Sequence, residues 1–204
     1  MTVETGRICV VGLGYIGLPT AAMLASRGHQ VIGVDTNPAV VESINQGRPH
    51  FHEPDLQMLL RAAVGTGNMT AGLVPEPADF FVIAVPTPVT ASQAPELCHV
   101  FSACDAIAPF LAPGNTVILE STSPVHTTEH ICDRLAHARP DLSFPRFRDT
   151  DAAADIFVAH CPERVLPGRM LIELVANARI VGGMTEACAR RAASLYGSFV
   201  QNEP

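Results

Sequence analysis

A glycine-rich turn near the start of the chain could bind the phosphates of a nucleotide. Gly12, Gly14 and Gly17 follow the β-prone run 8–11 without a gap, and helical character continues from there to Ser26. The first glycine permits a sharp turn, the second lets a pyrophosphate approach the backbone, and the third lets the helix pack closely on the strands. The free N–H groups and the positive dipole end of that helix would then face the phosphates.

An acidic residue after the next β-prone run indicates which dinucleotide fits. Asp35 follows the run 30–34 and lies roughly twenty residues after the glycines, the spacing typical of a ribose-binding acid. Its carboxylate can accept hydrogen bonds from the ribose diol and would repel a 2′-phosphate. The following segment 36–38 offers no arginine to bind such a phosphate. We therefore predict a dinucleotide site for NAD rather than NADP.

Two other interpretations of the stretch 8–25 are disfavoured. Glycine-rich turns occur in other α/β proteins, but here the strand, the helix and the spaced acid agree. A membrane-spanning helix needs about 20 apolar residues. The glycines, Tyr15, Pro19 and Thr20 all interrupt this stretch.

Three further predicted strands end in polar loops that contain proline. Val85 precedes Pro-Thr-Pro, Glu120 precedes Ser-Thr-Ser-Pro, and Ala159 precedes His-Cys-Pro-Glu-Arg. In doubly wound sheets the carboxyl ends of the strands form the ligand crevice. Thr87 and Thr122 would therefore lie over the cofactor and offer hydroxyls to a ribose, a phosphate or the nicotinamide carboxamide. Either residue could equally be a turn or cap threonine.

The last of these loops contains adjacent ionisable residues between two prolines. Glu163 and Arg164 lie between Pro162 and Pro167, an arrangement that suits an acid–base group beside an anion binder. A surface salt bridge is the alternative. Cys161 has no evident base or oxyanion partner in sequence, so we interpret it as a structural thiol rather than a nucleophile.

Composition indicates a globular protein of ordinary size. The chain has 204 residues, of which 48% are hydrophobic and 16% charged, enough for one domain with a sizeable core. A net charge of −7 without a basic run argues against nucleic acid as a partner. The amino-terminal segment 1–6 lacks the basic region of a signal peptide, and no membrane association is expected. We expect a cytoplasmic protein.

The cysteines give no sign of a disulfide framework or a metal site. All six are scattered without a Cys-x-x-Cys pair, as expected for buried reduced thiols in a cytosolic chain. His126, His130 and Cys132 could share a helix face, but no carboxylate-and-histidine pattern completes a site there. We therefore predict no bound metal.

Strand-like and helix-like segments alternate along the chain. The predicted strands are 8–11, 30–34, 69–72, 79–85, 116–120, 155–159 and 179–181. The predicted helices are 17–26, 38–46, 54–64, 96–111, 127–138 and 185–199, with Asn37 and Thr185 as N-caps. This alternation of apolar strands with helices predicts an α/β fold. The predicted fold is a Rossmann-type doubly wound parallel sheet with helices on both faces. We expect it to form one NAD(P)-binding domain over residues 1–204.

Several of these segments resemble a known family. They are VVGLGYIGLPTAAMLASRGHQVIGVD, IAVPTP, ILESTSPV and CPERVLPGRMLIELVANARIVGGM. They are similar to the amino-terminal half of the UDP-N-acetyl-D-mannosamine dehydrogenases, which are members of the UDP-glucose/GDP-mannose dehydrogenase family. The similarity covers nearly the whole chain, and the ERVLPG segment is specific to the members that use UDP-N-acetyl-sugars. The resemblance implies NAD-dependent oxidation of the C6 hydroxyl of a UDP-N-acetyl-sugar, UDP-N-acetylmannosamine, to the uronate.

The resemblance also implies roles for single residues. Besides the glycines of the turn, the residues that would contact NAD are Tyr15, Ile16, Asp35, Thr87, Thr122 and Thr128. Glu163 would be the acid–base group that activates water and assists hydrolysis of a thioester held on a cysteine. Arg164 and Val165 would touch the substrate.

Two departures from the family pattern affect these expectations. His126 stands where the family has glycine after Ser-Pro-Val, so a loop that needs positive φ would be strained there. The family's catalytic cysteine, its lysine and asparagine, and its dimerisation helix lie beyond the end of this sequence. We therefore expect a truncated chain or gene fragment that is the cofactor-binding half of an enzyme. By the resemblance, the full-length relatives are homodimers. We expect no turnover by the chain alone. The alternative is a non-catalytic NAD-binding module that needs a separate catalytic half; the ERVLPG segment disfavours a different NAD-dependent dehydrogenase.

Overall fold

Short apolar segments of the chain form the strands of one seven-stranded sheet in the computed structural model, which describes residues 5–89, 95–147 and 154–201. The strands are β1 (Arg7–Val11), β2 (Gln30–Val34), β3 (Met69–Gly72), β4 (Phe80–Ile83), β5 (Thr116–Leu119), β6 (Phe157–His160) and β7 (Gly182–Gly183). Their order across the sheet is β3-β2-β1-β4-β5-β6-β7. Neighbouring strands are parallel, except that β7 is antiparallel to β6.

Helices lie between the strands, as parallel pairing requires. They are α1 (Gly17–Ser26), α2 (Pro38–Asn45), α3 (Leu56–Gly65), α4 (Cys98–Ile107), α5 (Thr127–Ala138), α6 (Met170–Ala176) and α7 (Glu186–Tyr196). Within the described ranges, none of these helices combines the length and the apolar character that a membrane crossing requires.

The sheet separates two apolar cores. Successive side chains of a strand face opposite sides, so Ile8 and Val10 of β1 lie in one core, and Cys9 and Val11 lie in the other. Apolar residues of α1 and α3 fill the first core, and those of α4 and α5 fill the second. The predicted doubly wound α/β fold with helices on both faces is confirmed.

The two predicted N-caps, Asn37 and Thr185, are also confirmed. Asn37 accepts a hydrogen bond from the backbone N–H of Ala39 at 3.0 Å, and Thr185 accepts one from Cys188 at 3.3 Å. The helix predicted over 96–111 is shorter, because α4 begins at residue 98 and gives way to a 3-10 turn over Ala108–Phe110. Pro109 has no N–H with which to continue the α-helical hydrogen bonds.

The last strand lies slightly later than the predicted 179–181. The side chain of Arg179 is only 3% exposed and turns into the interior, and the strand forms at Gly182–Gly183 instead. A Cβ at residue 183 would lie 2.3 Å from the backbone nitrogen of Ala189. Glycine at this position therefore lets α7 lie directly against the strand.

At the opposite edge of the sheet, a side-chain amide pairs with the backbone of β3. Asn45 at the end of α2 donates from Nδ2 to the carbonyl oxygen of Ala71 at 2.9 Å. Its Oδ1 accepts from the N–H of the same residue at 2.8 Å. One asparagine thus satisfies both backbone groups of a residue in the edge strand.

α1 passes the end of β1 at very short range. Gly12 has φ +95°, and a Cβ at Gly17 would lie 1.9 Å from the carbonyl oxygen of Gly12 and 3.0 Å from the Cβ of Ala84. Nine of the ten residues of α1 are buried. Glycine at position 17 therefore allows α1, the most deeply buried helix of the first core, to pack directly against the backbone at Gly12.

Replacing Gly17 by alanine is expected to lower the free energy of unfolding by about 3 kcal/mol or more, because rigid backbone atoms occupy the space of the new methyl group. Gly65 in α3 is the matched control, since a Cβ there meets nothing within 4 Å. Gly65→Ala should leave the free energy unchanged or raise it by up to about 1 kcal/mol. Urea unfolding followed by circular dichroism measures both variants, and equal effects would contradict this account of the turn.

Candidate functional site

The strand order creates a crevice beside β1. The chain proceeds from β1 outward to β2 and β3, and then returns to place β4 on the other side of β1. Ligands of doubly wound sheets bind at such a switch point, outside the carboxyl ends of the strands. The glycine-rich turn 12–17 follows β1 at this position.

The glycine-rich turn leaves room for a ligand. A Cβ at Gly14 would meet nothing within 4 Å, so the backbone there faces open space. α1 starts without a side-chain cap, and its first turn contains no acidic residue. The backbone N–H groups at a helix start that lacks a cap can donate to a phosphate. The residues of this turn therefore fit the pyrophosphate of a dinucleotide.

Asp35 is held firmly at the end of β2. Its Oδ2 accepts from the N–H of Leu13 at 3.1 Å, and its Oδ1 accepts from the N–H of Asn37 at 2.9 Å. The carboxylate is half-buried and therefore still reaches solvent. These two bonds place an acid beside the glycine-rich turn with acceptor capacity left for a ribose diol.

Thr87 and Thr122 lie together, as expected from their positions at strand ends. The hydroxyl of Thr87 donates to the carbonyl oxygen of Thr122 at 2.7 Å and thus joins the loop after β4 to the loop after β5. The side chain of Thr122 is exposed. Thr128 is half-buried in the first turn of α5.

The residue that precedes α5 has the left-handed conformation that the glycine of the family pattern would favour. His126 has φ +71°, and its Nδ1 lies 2.5 Å from Oε2 of Glu129 in the same helix. A non-glycine residue with positive φ carries a conformational cost of order 1 kcal/mol. The strain predicted at this position is therefore present.

Glu163 points into the interior. Its side chain is 6% exposed and forms an ion pair with Nη1 of Arg179, while Oε1 accepts from the N–H of Arg164 at 2.7 Å. The same Arg179 nitrogen lies 3.4 Å from Oε1 of Glu120. One guanidinium is thus shared by two carboxylates, and the acid–base role of Glu163 stays a prediction.

Glu120 is the most deeply buried acid of this cluster. Thr20 and Tyr196 donate to its Oε1 at 3.3 and 3.5 Å, but Oε2 finds no hydrogen-bond partner among the described residues. The pKa of Glu120 is raised from 4.5 to about 7, chiefly by burial and also by the nearby Glu163, against the opposing effects of Arg179 and the hydrogen bonds. Desolvation of the carboxylate therefore outweighs the attraction of the Arg179 guanidinium.

The predicted substrate residues follow Glu163 directly. Arg164 is exposed, and its Nη2 donates to the carbonyl oxygen of Ala178 at 3.1 Å. Val165 is half-buried and packs against the first core. The structure therefore places both residues on one loop beside the buried acids.

Burial suppresses the reactivity of most of the thiols. It raises the pKa of three of them, Cys9, Cys104 and Cys161, to about 12, and it raises that of Cys132 as well. A thiol with so high a pKa is not a thiolate at neutral pH. For Cys161 this agrees with a structural role. The described ranges also contain no group of three or more histidine, cysteine, aspartate or glutamate side chains that could hold a metal ion.

Sequence reasoning did not single out the buried polar residues of the site. Glu120, Arg179 and Tyr196 come together from three separate segments of the chain, and Glu53 contacts Gly168 and Met170, so only the fold shows these contacts. A weak signal was present for two of them. Glu120 and Arg179 are charged residues that adjoin apolar, strand-like runs, and such residues need a buried partner.

The parallel sheet, the uncapped helix start at the glycine-rich turn and the acid beside it together define a dinucleotide-binding domain of the Rossmann type. The family model for the NAD-binding domain of the UDP-glucose/GDP-mannose dehydrogenase family matches residues 6–200. The chain belongs to this family, and NAD is the cofactor of this domain.

Relatives with similar sequences are nucleotide-sugar dehydrogenases. An NDP-N-acetyl-D-galactosaminuronic acid dehydrogenase of Ralstonia nicotianae is 58% identical over 95% of this chain and 45% of its own length. A UDP-N-acetyl-D-mannosamine dehydrogenase of Yersinia pestis is 53% identical over 100% of this chain and 47% of its own length. The chain thus spans about half the length of the curated relatives it matches.

Solved structures show the same similarity. The UDP-N-acetyl-mannosamine dehydrogenase of Staphylococcus aureus superposes with a TM-score of 0.87 at 41% identity, over 97% of this chain and 46% of its own. The UDP-D-ManNAc dehydrogenase of Pyrococcus horikoshii gives 0.88 at 38% identity over the same shares of the two chains.

Glu120 should make stability depend on pH. Because its pKa is raised in the folded chain, the folded state holds this proton more tightly than the unfolded state does. Its contribution to the free energy of unfolding is therefore complete below about pH 4.5 and is lost as pH rises to about 7. Glu120→Gln mimics the protonated acid and removes this titration.

We expect wild type and Glu120→Gln to have similar free energies of unfolding at about pH 5. At about pH 8 wild type should be the less stable by on the order of 2 kcal/mol. Urea unfolding of both proteins at several pH values measures the difference, in which the titration of all other groups cancels. A difference that is constant, or that grows in favour of wild type, would show that Glu120 is ionised throughout.

Proposed function

We propose that this chain is the cofactor-binding part of an enzyme that oxidises the C6 hydroxyl of a UDP-N-acetyl-sugar to the uronate. The observation that carries the proposal is that an uncapped helix start, Asp35 and the Glu163 loop follow three parallel strands, β1, β2 and β6, at the same edge of the sheet. The printed names of the relatives point to N-acetyl-hexosamines linked to a nucleoside diphosphate. These names differ in the sugar, so the substrate has to be tested directly. We propose UDP-N-acetylmannosamine, the sugar in the name of the Yersinia pestis relative, as the first substrate to test.

In this proposal the glycine-rich turn holds the cofactor by its backbone. The glycines 12, 14 and 17 form the cradle for the pyrophosphate, and Tyr15 and Ile16 contribute backbone N–H groups at the helix start. Asp35 accepts hydrogen bonds from the adenosine ribose and excludes a 2′-phosphate. When bound, NAD accepts a hydride from the substrate. The threonines 87, 122 and 128 supply hydroxyls along the rest of the crevice.

Glu163, Arg164 and Val165 act on the substrate side. We assign to Glu163 the movement of a proton to or from water during hydrolysis, since a positioned carboxyl group is one of the side chains that act as general acids and bases. Arg164 offers a cation to an anionic substrate, and Val165 offers apolar contact. The described cysteines offer no activated thiolate, and the covalent step of the full reaction would need a thiol from outside this part of the chain.

We further propose that the complete enzyme is a homodimer of the cytoplasm. The cytoplasm supplies the NAD pool that the family requires, and it keeps the free thiols reduced. Light scattering on the complete protein tests the dimer.

A second candidate is a non-catalytic NAD-binding module that acts only with a separate catalytic half. The observation that favours it is that burial raises the pKa of most of the described thiols, which makes them poor nucleophiles. Turnover of a UDP-N-acetyl-sugar by this chain, observed only after a cysteine-bearing partner chain is added, would support the module. NADH absorbance reports such turnover directly.

Calorimetric titration tests the cofactor site. We expect NAD to bind the chain more tightly than NADP does, because Asp35 repels a 2′-phosphate. Asp35→Ala should weaken NAD binding by roughly 10- to 100-fold, the loss expected when hydrogen bonds to a charged group are removed.

The matched control is Asp133→Ala, which removes an exposed aspartate from α5. This variant should bind NAD as wild type does. Equal binding by wild type and Asp35→Ala would contradict the ribose assignment, and no binding by wild type would contradict the proposed site as a whole.

A further inference from the structure

One buried carboxylate holds the start of α6. Glu53 is only 4% exposed, although it lies in the loop between α2 and α3. Its Oε2 accepts from the N–H of Gly168 and its Oε1 from the N–H of Met170, both at 2.8 Å. These partners are 115 and 117 residues away in sequence, so the contact fixes two distant parts of the chain to each other.

The same carboxylate reaches the glycine-rich turn. The hydroxyl of Tyr15 donates to Oε2 of Glu53 at 3.4 Å, and the Tyr15 ring packs on Phe51 with 4.7 Å between the ring centroids. Tyr15 is nevertheless 39% exposed, within the turn that we propose as the dinucleotide site. Glu53 therefore lies between a residue of the cofactor turn and the backbone of the loop 163–170.

That loop depends on carboxylates for its shape. It has no regular secondary structure before α6 begins at Met170, yet alternate backbone N–H groups along it donate to acids. Arg164 donates to Glu163 at 2.7 Å and Leu166 to Glu173 at 2.8 Å, before the two bonds to Glu53. The bonds of Arg164 and Leu166 are exposed, whereas that of Gly168 is part-buried and that of Met170 is buried. Loss of an acceptor for a buried N–H costs more than the bond itself contributes, so Glu53 matters most to the order of the loop. Of these acids, Glu53 also contacts the cofactor turn.

We propose that Glu53 is a positioning residue that couples the cofactor turn to the substrate loop, so that NAD bound at Tyr15 orders the backbone at Gly168 and Met170. The inference rests on the proposed function in one respect, since it takes the turn as the NAD site and the loop as the substrate side. It adds a residue to which no role has been assigned above, and a physical connection between the two halves of the site.

The connection follows from solvent exclusion. A dinucleotide seated on the turn would remove water from the half-exposed hydrogen bond between Tyr15 and Glu53, and a hydrogen bond is stronger where water is excluded. Burial and the carboxylate of Glu53 raise the pKa of Tyr15, so its hydroxyl stays protonated and remains the donor. Coupling of this kind is reciprocal, and a ligand that orders the loop would also tighten NAD binding.

The test is amide hydrogen exchange at Gly168 and Met170, measured with and without saturating NAD. In wild type we expect NAD to slow exchange at these amides roughly fivefold, the lower end of typical coupling between sites. Tyr15→Phe keeps the ring on Phe51 and removes only the hydroxyl. Without NAD it should exchange at least as fast as wild type, and NAD should give it no protection at these amides.

Two further variants complete the design. Glu53→Gln offers one acceptor to two N–H groups, so exchange at Gly168 and Met170 should be faster even without NAD. Glu186→Gln removes an exposed acid from α7 and should behave as wild type in every measurement.

The possible results separate the two hypotheses. If wild type binds NAD by calorimetry but shows no protection at these amides, the coupling is wrong and the cofactor site stands. Protection by NAD that is equal in wild type and Tyr15→Phe also overturns the coupling. If wild type does not bind NAD at all, the proposed cofactor site fails and the coupling fails with it.

Discussion

The close approach of α1 to the end of β1 is the constraint on which the rest of the structure depends. A Cβ at Gly17 would lie 1.9 Å from a carbonyl oxygen, so the helix can leave the strand along this path only because residue 17 has no side chain. That path buries nine of the ten residues of α1 in the first core, and it also points the start of the helix at the crevice. Folding and cofactor binding therefore make the same demand on the same glycines, because the packing that stabilises the domain also builds the phosphate cradle.

The interior of the site carries more charge than stability alone would favour. Glu120, Glu163 and Arg179 are all buried, and the Arg179 guanidinium lies over the ring of Tyr196, with Cζ 4.9 Å from the ring centroid. Desolvation of such groups costs several kcal/mol each, and well-packed apolar residues in the same volume are often as stable or more so. A cluster of this kind at the carboxyl end of a sheet is typical of a functional site, where acids with shifted pKa values take part in binding or catalysis.

Local patterns in the sequence predicted the backbone well and the side-chain network poorly. Strands such as Met69–Gly72 and helices such as Thr127–Ala138 follow from apolar runs, caps and glycines that lie close together in sequence. The same is true of the turn at Gly12 and of Asp35, whose spacing is a property of one βαβ unit. Glu53 and Arg179 gave no comparable pattern, since their partners are far away in the chain. The strand predicted at 179–181 was misplaced for the same reason, because the buried contacts of Arg179 overrode local strand propensity.

The two edges of the sheet bear on how the domain behaves in a crowded solution. An edge strand exposes unpaired N–H and C=O groups, which can recruit a strand from another molecule and begin aggregation. At one edge the Asn45 amide occupies the pairing groups of Ala71, much as a neighbouring strand would. At the other edge, β7 is only two glycines long, is antiparallel to β6 and lies under α7. The sheet therefore ends on both sides in surfaces that discourage the addition of another strand, and intermolecular β-pairing is opposed by the fold itself.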